Sequence, residues 1–367
     1  MTELDGQIQI SSRIIHSCTI GIASLEASSL ASALYSVISY GLLILFKVSY
    51  LRIVSLLPSA TEIIYAMGLG DHLVGVSHEC DFPREAQGKP RVILPVFDSV
   101  MLESKVIDEI VIEHLRHGES LYKIDLDAFK AADPDLVITQ ELCDVCAIGA
   151  EDVLMAVSKL PKPVEVLSLN PHSLDDIKDD VRRVGKAVGL PEKAGRVIQD
   201  LQEKEDYVKK TTEHASKHRV FCAEWLQPLM NAGHWIPEMV EYAGGIERLS
   251  SRRQPSGYID WKTVIDYDPE MLILMPCGFT TARTISEAKV LSKVEKLNQL
   301  TAVRNGNVFA TDGHNYFSRS GPRLFDALKI LGMMIHPELF NERLQIEHGA
   351  RLEVAQLLEP VRDLQAA

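Results

Sequence analysis

The feature that most constrains this chain is an internal repeat. Residues 124–142 read IDLDAFKAADPDLVITQEL and residues 259–277 read IDWKTVIDYDPEMLILMPC, an offset of 259 − 124 = 135 residues. Each copy opens on Ile-Asp and continues with a short helix-like run. Each then reaches Asp-Pro and an acidic residue, Asp133-Pro134-Asp135 and Asp268-Pro269-Glu270. Proline disfavours helical geometry in the residue before it, so both helices should stop there. The apolar runs that follow, 136–138 and 271–274, are short and aliphatic and read as buried parallel strands. A strand and helix unit stated twice predicts two α/β lobes. Ligands of open α/β sheets sit beyond the carboxyl ends of the strands. Two such lobes therefore imply a cleft between them.

Composition narrows the partners. The 367 residues suffice for two domains with a real core in each. Hydrophobic residues at 46% and charged residues at 24% are globular proportions. A net charge of −13 argues against nucleic acid or an anionic membrane surface as the main partner. Six cysteines in a chain of this length are not a disulfide scaffold. Cys143-x-x-Cys146 reads as a redox pair, half of a metal site, or two packed thiols.

Along the chain, residues 1–50 read as separate from the folded body. Residues 27–46 are uncharged and about long enough to span a bilayer, though diluted by serine. A cleavable secretory signal would need a basic start and a small-residue cleavage site. Three readings stay open: an uncleaved anchor, an unusual signal, or sequence upstream of the true start. Membrane contact is expected only through this segment. A membrane-anchored or cytoplasmic body is favoured over a freely periplasmic one. The body divides into an α/β lobe at 51–172, a helical bridge at 173–216, a second α/β lobe at 217–340 and a C-terminal helix within 341–367. Ser59 or Thr61 is expected to cap the first helix, with Glu62 as a partner of its dipole. Ser173 with Asp176 resembles a capping box, and Gly189-Leu190-Pro191 breaks the long helical stretch.

RIVSLLPSATEIIYAMGLGDHLVGVSHECDFP, from residue 52, resembles the opening of the helical-backbone substrate-binding proteins of ABC importers for vitamin B12, siderophores and haem. It is most similar to the cobalamin-binding group. DGHNYFSRSGPR, from residue 312, resembles that family's late ligand-facing loop. The resemblance covers about residues 51–340. It implies an α/β fold of two Rossmann-like lobes joined by a long rigid helix, with the ligand cleft between the lobes. It also implies a monomer that carries a metal chelate to an ABC permease, docking through acidic lobe tips. Asp125 and Asp127 on one lobe and Asp260 and Asp266 on the other are the candidates here. The His-Glu-Cys, Cys-x-x-Cys and Pro-Cys-Gly elements depart from the vitamin B12 pattern and suggest a thiol-bearing subgroup.

The candidate ligand-binding residues fall on the loops expected at the cleft: His78, Glu79, Cys80, Glu141, Trp225, His234, Trp235, Phe279, His314, Tyr316, Phe317 and Arg319. Aromatic rings stack on a flat macrocycle and exclude water, which suits cobalamin or a related corrinoid. Arg319 and Arg323, near a helix start, could hold a carboxylate or phosphate, or instead form salt bridges to the acidic surface. Cys80, Cys143, Cys146 and Cys277 together could ligate Zn or Cu. The reading is a non-enzymatic carrier. Its rivals are an intracellular Cys/His metal or redox protein using the same cleft, and an enzyme with a cysteine nucleophile beside His78 or His234. No phosphate loop, G-x-S-x-G or H-E-x-x-H motif is present.

Overall fold

The computed structural model describes residues 51–140, 148–353 and 357. Residues 52–367 form one compact unit. Its first sheet contains β1 (Ile53–Ser55), β2 (Leu73–Ser77), β3 (Arg91–Pro95), β4 (Tyr122–Ile124), β5 (Leu136–Gln140) and β6 (Glu165–Leu169). The order is β4-β3-β2-β1-β5-β6, parallel except for the edge strand β4. β1 lies between β2 and β5, so the strand order reverses there. The second sheet contains β7 (His218–Leu226), β8 (Leu229–Asn231), β9 (Gly245–Ile246), β10 (Gly257–Tyr258), β11 (Met271–Leu274), β12 (Val308–Thr311) and β13 (Gly349–Arg351). Its order is β10-β8-β7-β11-β12-β13, with β9 beside β7. The core strands β7, β11 and β12 are parallel; β8 and β13 run antiparallel to their core neighbours, and β10 runs antiparallel to β8.

Helices α1 (Pro58–Ala66), α2 (Ser104–His117), α3 (Leu126–Ala132), α4 (Ala150–Ser158), α5 (Leu174–Ala187) and α6 (Pro191–Thr212) accompany the first sheet and the crossing. Helices α7 (Ile236–Tyr242), α8 (Trp261–Tyr267), α9 (Thr281–Glu287), α10 (Thr301–Arg304) and α11 (Leu324–Ile335) belong to the second lobe. Val54, Val92, Phe129, Val137 and Val153 centre one core. Phe221, Leu272, Leu291, Val303 and Val308 centre the other.

The repeat is visible in three dimensions and extends beyond the matched text. Asp125 caps α3 by accepting from Asp127 and Ala128 N–H, and Asp260 caps α8 by accepting from Thr263 N–H. Both helices end in a left-handed aspartate, Asp133 (φ 39°) and Asp268 (φ 49°). The acidic residue after each proline accepts from the backbone N–H of an arginine at the start of the neighbouring strand, just before β1 or second in β7. Arg52 N–H meets Asp135 at 2.9 Å, and Arg219 N–H meets Glu270 at 2.9 Å. Each arginine also donates Nε to the aspartate turn, Arg52 to Ala132 and Asp133 carbonyls and Arg219 to Asp268 carbonyl. The register is shared: Ile53 faces Leu136, and Val220 faces Met271.

Three local expectations change. No side chain caps α1: Pro58 occupies its first turn and Ser59 and Thr61 lie inside it. Thr61 instead donates to Ser55 Oγ at 2.8 Å. The long helical stretch is a pair, α5 and α6, packed antiparallel through a turn at Gly189 (φ 74°). α6, 22 residues, is the long member at about 33 Å. Lys178 of α5 is buried and reaches Glu205 and Gln202 of α6 at 3.0 and 2.6 Å. Ser173 does cap α5, accepting from Asp176 N–H at 3.2 Å. In the last segment, β13 takes residues 349–351 into the second sheet, and the helix expected beyond Leu352 lies largely outside the described residues.

Candidate functional site: the interlobe junction

The loop after β2 and the turn after β12 meet at one junction. Arg91 on β3 donates to the Ser77 and Cys80 carbonyls at 2.7 and 2.8 Å, which fixes the path of residues 78–81. Opposite, Asp312 opens the Gly313–Phe317 turn by accepting from Asn315 N–H at 2.8 Å. Only glycine fits at 313, where a Cβ would stand 2.2 Å from the Pro276 carbonyl. The turn therefore sits directly on the end of β11.

Charged groups from both lobes fill the junction. Asp81 bonds His314 Nε2 at 2.9 Å and Arg319 Nη1 at 2.5 Å. Arg319 also donates to the Glu79 carbonyl at 3.0 Å and is 7% exposed. Arg323 donates to Glu62 at 2.6 Å and to Asn315 Oδ1 at 3.2 Å, and lies 4.0 Å over the Phe82 ring. Three carboxylates of the first lobe thus face two guanidinium groups and an imidazole of the second. Burial would raise the Asp81 carboxyl, but hydrogen bonds from His314 and Arg319 outweigh it and hold the group well below the usual range. Burial pushes the Glu62 carboxyl up, and Arg323 offsets part of that. A hydrogen bond with His78, aided by His314 and Arg319, lowers Glu79 against the effect of its burial.

A second contact crosses between the lobes at the aromatic wall. Trp225, late in β7, packs edge-to-face on Phe279 with centroids 5.2 Å apart. The Trp225 indole N–H donates to the Ser104 carbonyl at 3.2 Å. Arg283 stacks over Phe279 at 3.6 Å and donates to the Leu102 carbonyl at 2.7 Å. Glu287 accepts from both the Ser104 N–H and hydroxyl, capping α2 from the opposite lobe. Farther along α2, Tyr258 donates to Asp108 at 2.9 Å.

The expected site residues divide into groups. His78, Glu79, Arg319 and His314 come together at the charged junction. Arg319, expected to hold an anionic ligand, is instead committed to Asp81 and Glu79. Glu62, expected to serve the α1 dipole, belongs to the same network. Trp225 and Phe279 form the aromatic wall. Trp235 and Phe317 are buried, and the Trp235 indole donates to the Phe317 carbonyl at 3.0 Å, so they join α7 to the turn after β12. Tyr316 stands edge-on to His348 at 5.1 Å.

The thiol expectation changes most. Cys80 is fully buried, and its thiol lies 3.0 Å from the Thr61 hydroxyl oxygen, which can accept its proton. Burial pushes its thiol up to about 11, so it is a protonated core side chain and neither lines the cleft nor offers a thiolate. Cys277 is half-buried with a free thiol. Glu141, Cys143 and Cys146 lie outside the described residues. Among the described residues, no group of three or more His, Cys, Asp or Glu is placed to hold a metal ion. His234 meets a residue that the sequence reading missed: its ring lies 5.7 Å from that of His172, just past β6. The strand-end rule applied to the other strands points to this position as well.

Comparison with known proteins agrees with this architecture. The chain is 25% identical over 280 residues, 76% of its length and 86% of the relative, to the vitamin B12-binding protein of Vibrio parahaemolyticus. It is 25% identical over 299 residues, 79% of its length and 82% of the relative, to an uncharacterized ABC transporter substrate-binding lipoprotein of Bacillus subtilis. A solved structure from Staphylococcus epidermidis, described as a possible iron-binding (periplasmic solute-binding) protein, superposes with a TM-score of 0.60. It covers 78% of this chain and 99% of its own at 24% identity, which shows the fold. Among the described residues no helix is long and apolar enough to cross a membrane, and residues 27–46 lie outside them. Residues 53–314 match the model of the family described as periplasmic binding protein, and with two α/β lobes meeting at their strand-end loops the chain belongs to that family of binding proteins.

Proposed function

We propose that this protein is the substrate-binding component of an ABC importer and holds a corrinoid, or a related metal chelate, against the loops at the interlobe junction. The observation that carries the reading is the meeting of those loops from both sheets, with His314 of one lobe 2.9 Å from Asp81 of the other. Family membership and the vitamin B12-binding relative support the chemical class. Trp225, backed by the buried Phe279 ring, supplies an apolar face for a flat macrocycle. His78, stacked near Tyr122 with centroids 5.6 Å apart, supplies a polar edge. The protein works as a carrier and not as an enzyme, tethered at the membrane. It docks on its permease through the exposed carboxylates Asp127, Asp260 and Asp266, with the helix-capping Asp125 beside them.

The test is a titration of the full chain with hydroxocobalamin, read by quenching of tryptophan fluorescence. Saturable binding at micromolar concentration or below, weakened at least tenfold in Trp225→Ala, is the expected result. Binding of haemin but not of the corrinoid would move the ligand to another tetrapyrrole. Binding of neither would overturn the proposal.

A further inference from the structure

We propose that His172 and His234, one from each lobe, form a two-imidazole site for a borderline divalent metal ion such as Zn2+, Ni2+ or Cu2+. This goes beyond the corrinoid reading and does not rest on it. Both Nδ1 atoms are buried, and neither has a hydrogen-bond partner among the described residues. A buried imidazole nitrogen left unpartnered costs free energy, and here two such nitrogens belong to neighbouring rings. The ring centroids are 5.7 Å apart and the planes are tilted by 31°. An imidazole centroid stands about 3.2 Å from a metal bound at about 2.0–2.1 Å from its nitrogen. Two rings meeting at one tetrahedral centre therefore have centroids about 5–6 Å apart, and this pair falls in that range.

The backbone holds both rings in place. His234 has φ of 52°, a left-handed conformation that is uncommon outside glycine. It is held by exchange with the opposing loop: His234 N–H donates to the Gln254 carbonyl at 2.6 Å, and Arg253 N–H donates to the His234 carbonyl at 2.9 Å. Strain kept by the surrounding structure is a mark of functional positions. Gly233 permits the approach, since a Cβ there would lie 2.5 Å from the Gln254 carbonyl. Across the junction, His172 N–H donates to Asp176 at 2.9 Å. Arg253 ties the two sides together, reaching Ser173 Oγ and the Asp176 carboxylate, each at 2.9 Å. Asp176 thereby balances the Arg253 guanidinium.

Imidazole suits Zn, Ni and Cu, and two protein ligands leave coordination positions open for water or for a chelating cargo. A bound ion would clip the first lobe to the second at the start of α5.

The experiment uses the full chain and the metal alone. Zn2+ is titrated calorimetrically, and the imidazole 15N resonances are followed by NMR. One equivalent should bind at micromolar concentration, with the shifts of coordination at Nδ1 of His172 and His234. His172→Ala and His234→Asn should each weaken binding at least tenfold, and asparagine tolerates the left-handed backbone. His117→Ala, on the surface of α2, should change nothing. Binding that survives both variants, or shifts confined to other imidazoles, would overturn the site. The NMR result on the unaltered chain stands even if a variant folds poorly, and failure of cobalamin binding would leave it untouched.

Discussion

At the scale of single residues, the charged junction decides how the lobes are held. Arg319 is 7% exposed and faces Asp81 and Glu79, which are partly exposed, and Glu62, which is buried and keeps Arg323 as a partner. Breaking a fully buried ion pair from one side costs about 3–5 kcal/mol, and solvent at Asp81 and Glu79 lowers that cost here. Arg319→Met is expected to destabilise by about 2 kcal/mol in denaturant unfolding, and no measurable loss would contradict the role. The same junction sets the acid response. The folded pKa of Asp81 lies below its unfolded value, so its contribution is fully present above the unfolded value, near pH 4. It is lost as pH falls towards the folded pKa. Asp81→Asn should therefore reduce the acid dependence of unfolding below pH 4. These residues were poorly legible in the sequence. Arg319 and Asp81 are 238 positions apart, and nothing local marks a carboxylate and a guanidinium as partners.

At the scale of elements, the repeated turn was legible, and the structure adds a difference between its copies. Both aspartates before proline adopt positive φ, where glycine is less strained. Asp133 uses its side chain only for a half-exposed pair with Lys162 at 3.2 Å. Asp268 accepts from the Thr301 N–H and hydroxyl at 2.7 and 2.8 Å, and so caps α10. Asp133→Gly is expected to be neutral or stabilising. Asp268→Gly should destabilise by about 1 kcal/mol, because the relief of backbone strain does not replace the cap. Thermal unfolding of the two variants side by side checks this, and equal shifts would refute it. The break between α5 and α6 was likewise readable, since Gly189 takes φ of 74° and Pro191 begins the next helix. The antiparallel return was not, because it depends on Lys178 meeting Glu205 and on Gly185 lying against Ala194.

At the scale of the whole molecule, two of the contacts between the lobes are the charged junction and the docking of residues 102–104 on the aromatic wall, beside the Tyr258–Asp108 bond and the tie from Arg253 to Ser173 and Asp176. The second is held by Trp225, Arg283 and Glu287. Under the proposed function it lies where a macrocycle would meet Trp225, and a ligand bound there would have to displace it. Glu287→Gln removes the charge from the cap of α2 and should speed ligand association several-fold in stopped-flow fluorescence, with faster amide exchange at residues 102–107. An unchanged association rate would argue that ligand enters elsewhere.

The sequence by itself determined the two α/β lobes, the helical crossing and the family, because periodicity, proline and capping residues act over a few positions. It also placed Phe279 and His314 on strand-end loops, whereas Trp225, expected on such a loop, lies within β7 and pairs with Met230. Which of those groups meet was decided only by the tertiary structure. Cys80 carries the same local signal as His78, yet the fold turns its thiol onto Thr61 in the core and His78 towards Tyr122. Arg319 reads as an anion holder until Asp81 is brought against it. His172 and His234 become a pair only when the lobes dock. Burial and long-range pairing set the chemistry of these side chains, and both are properties of the packed chain.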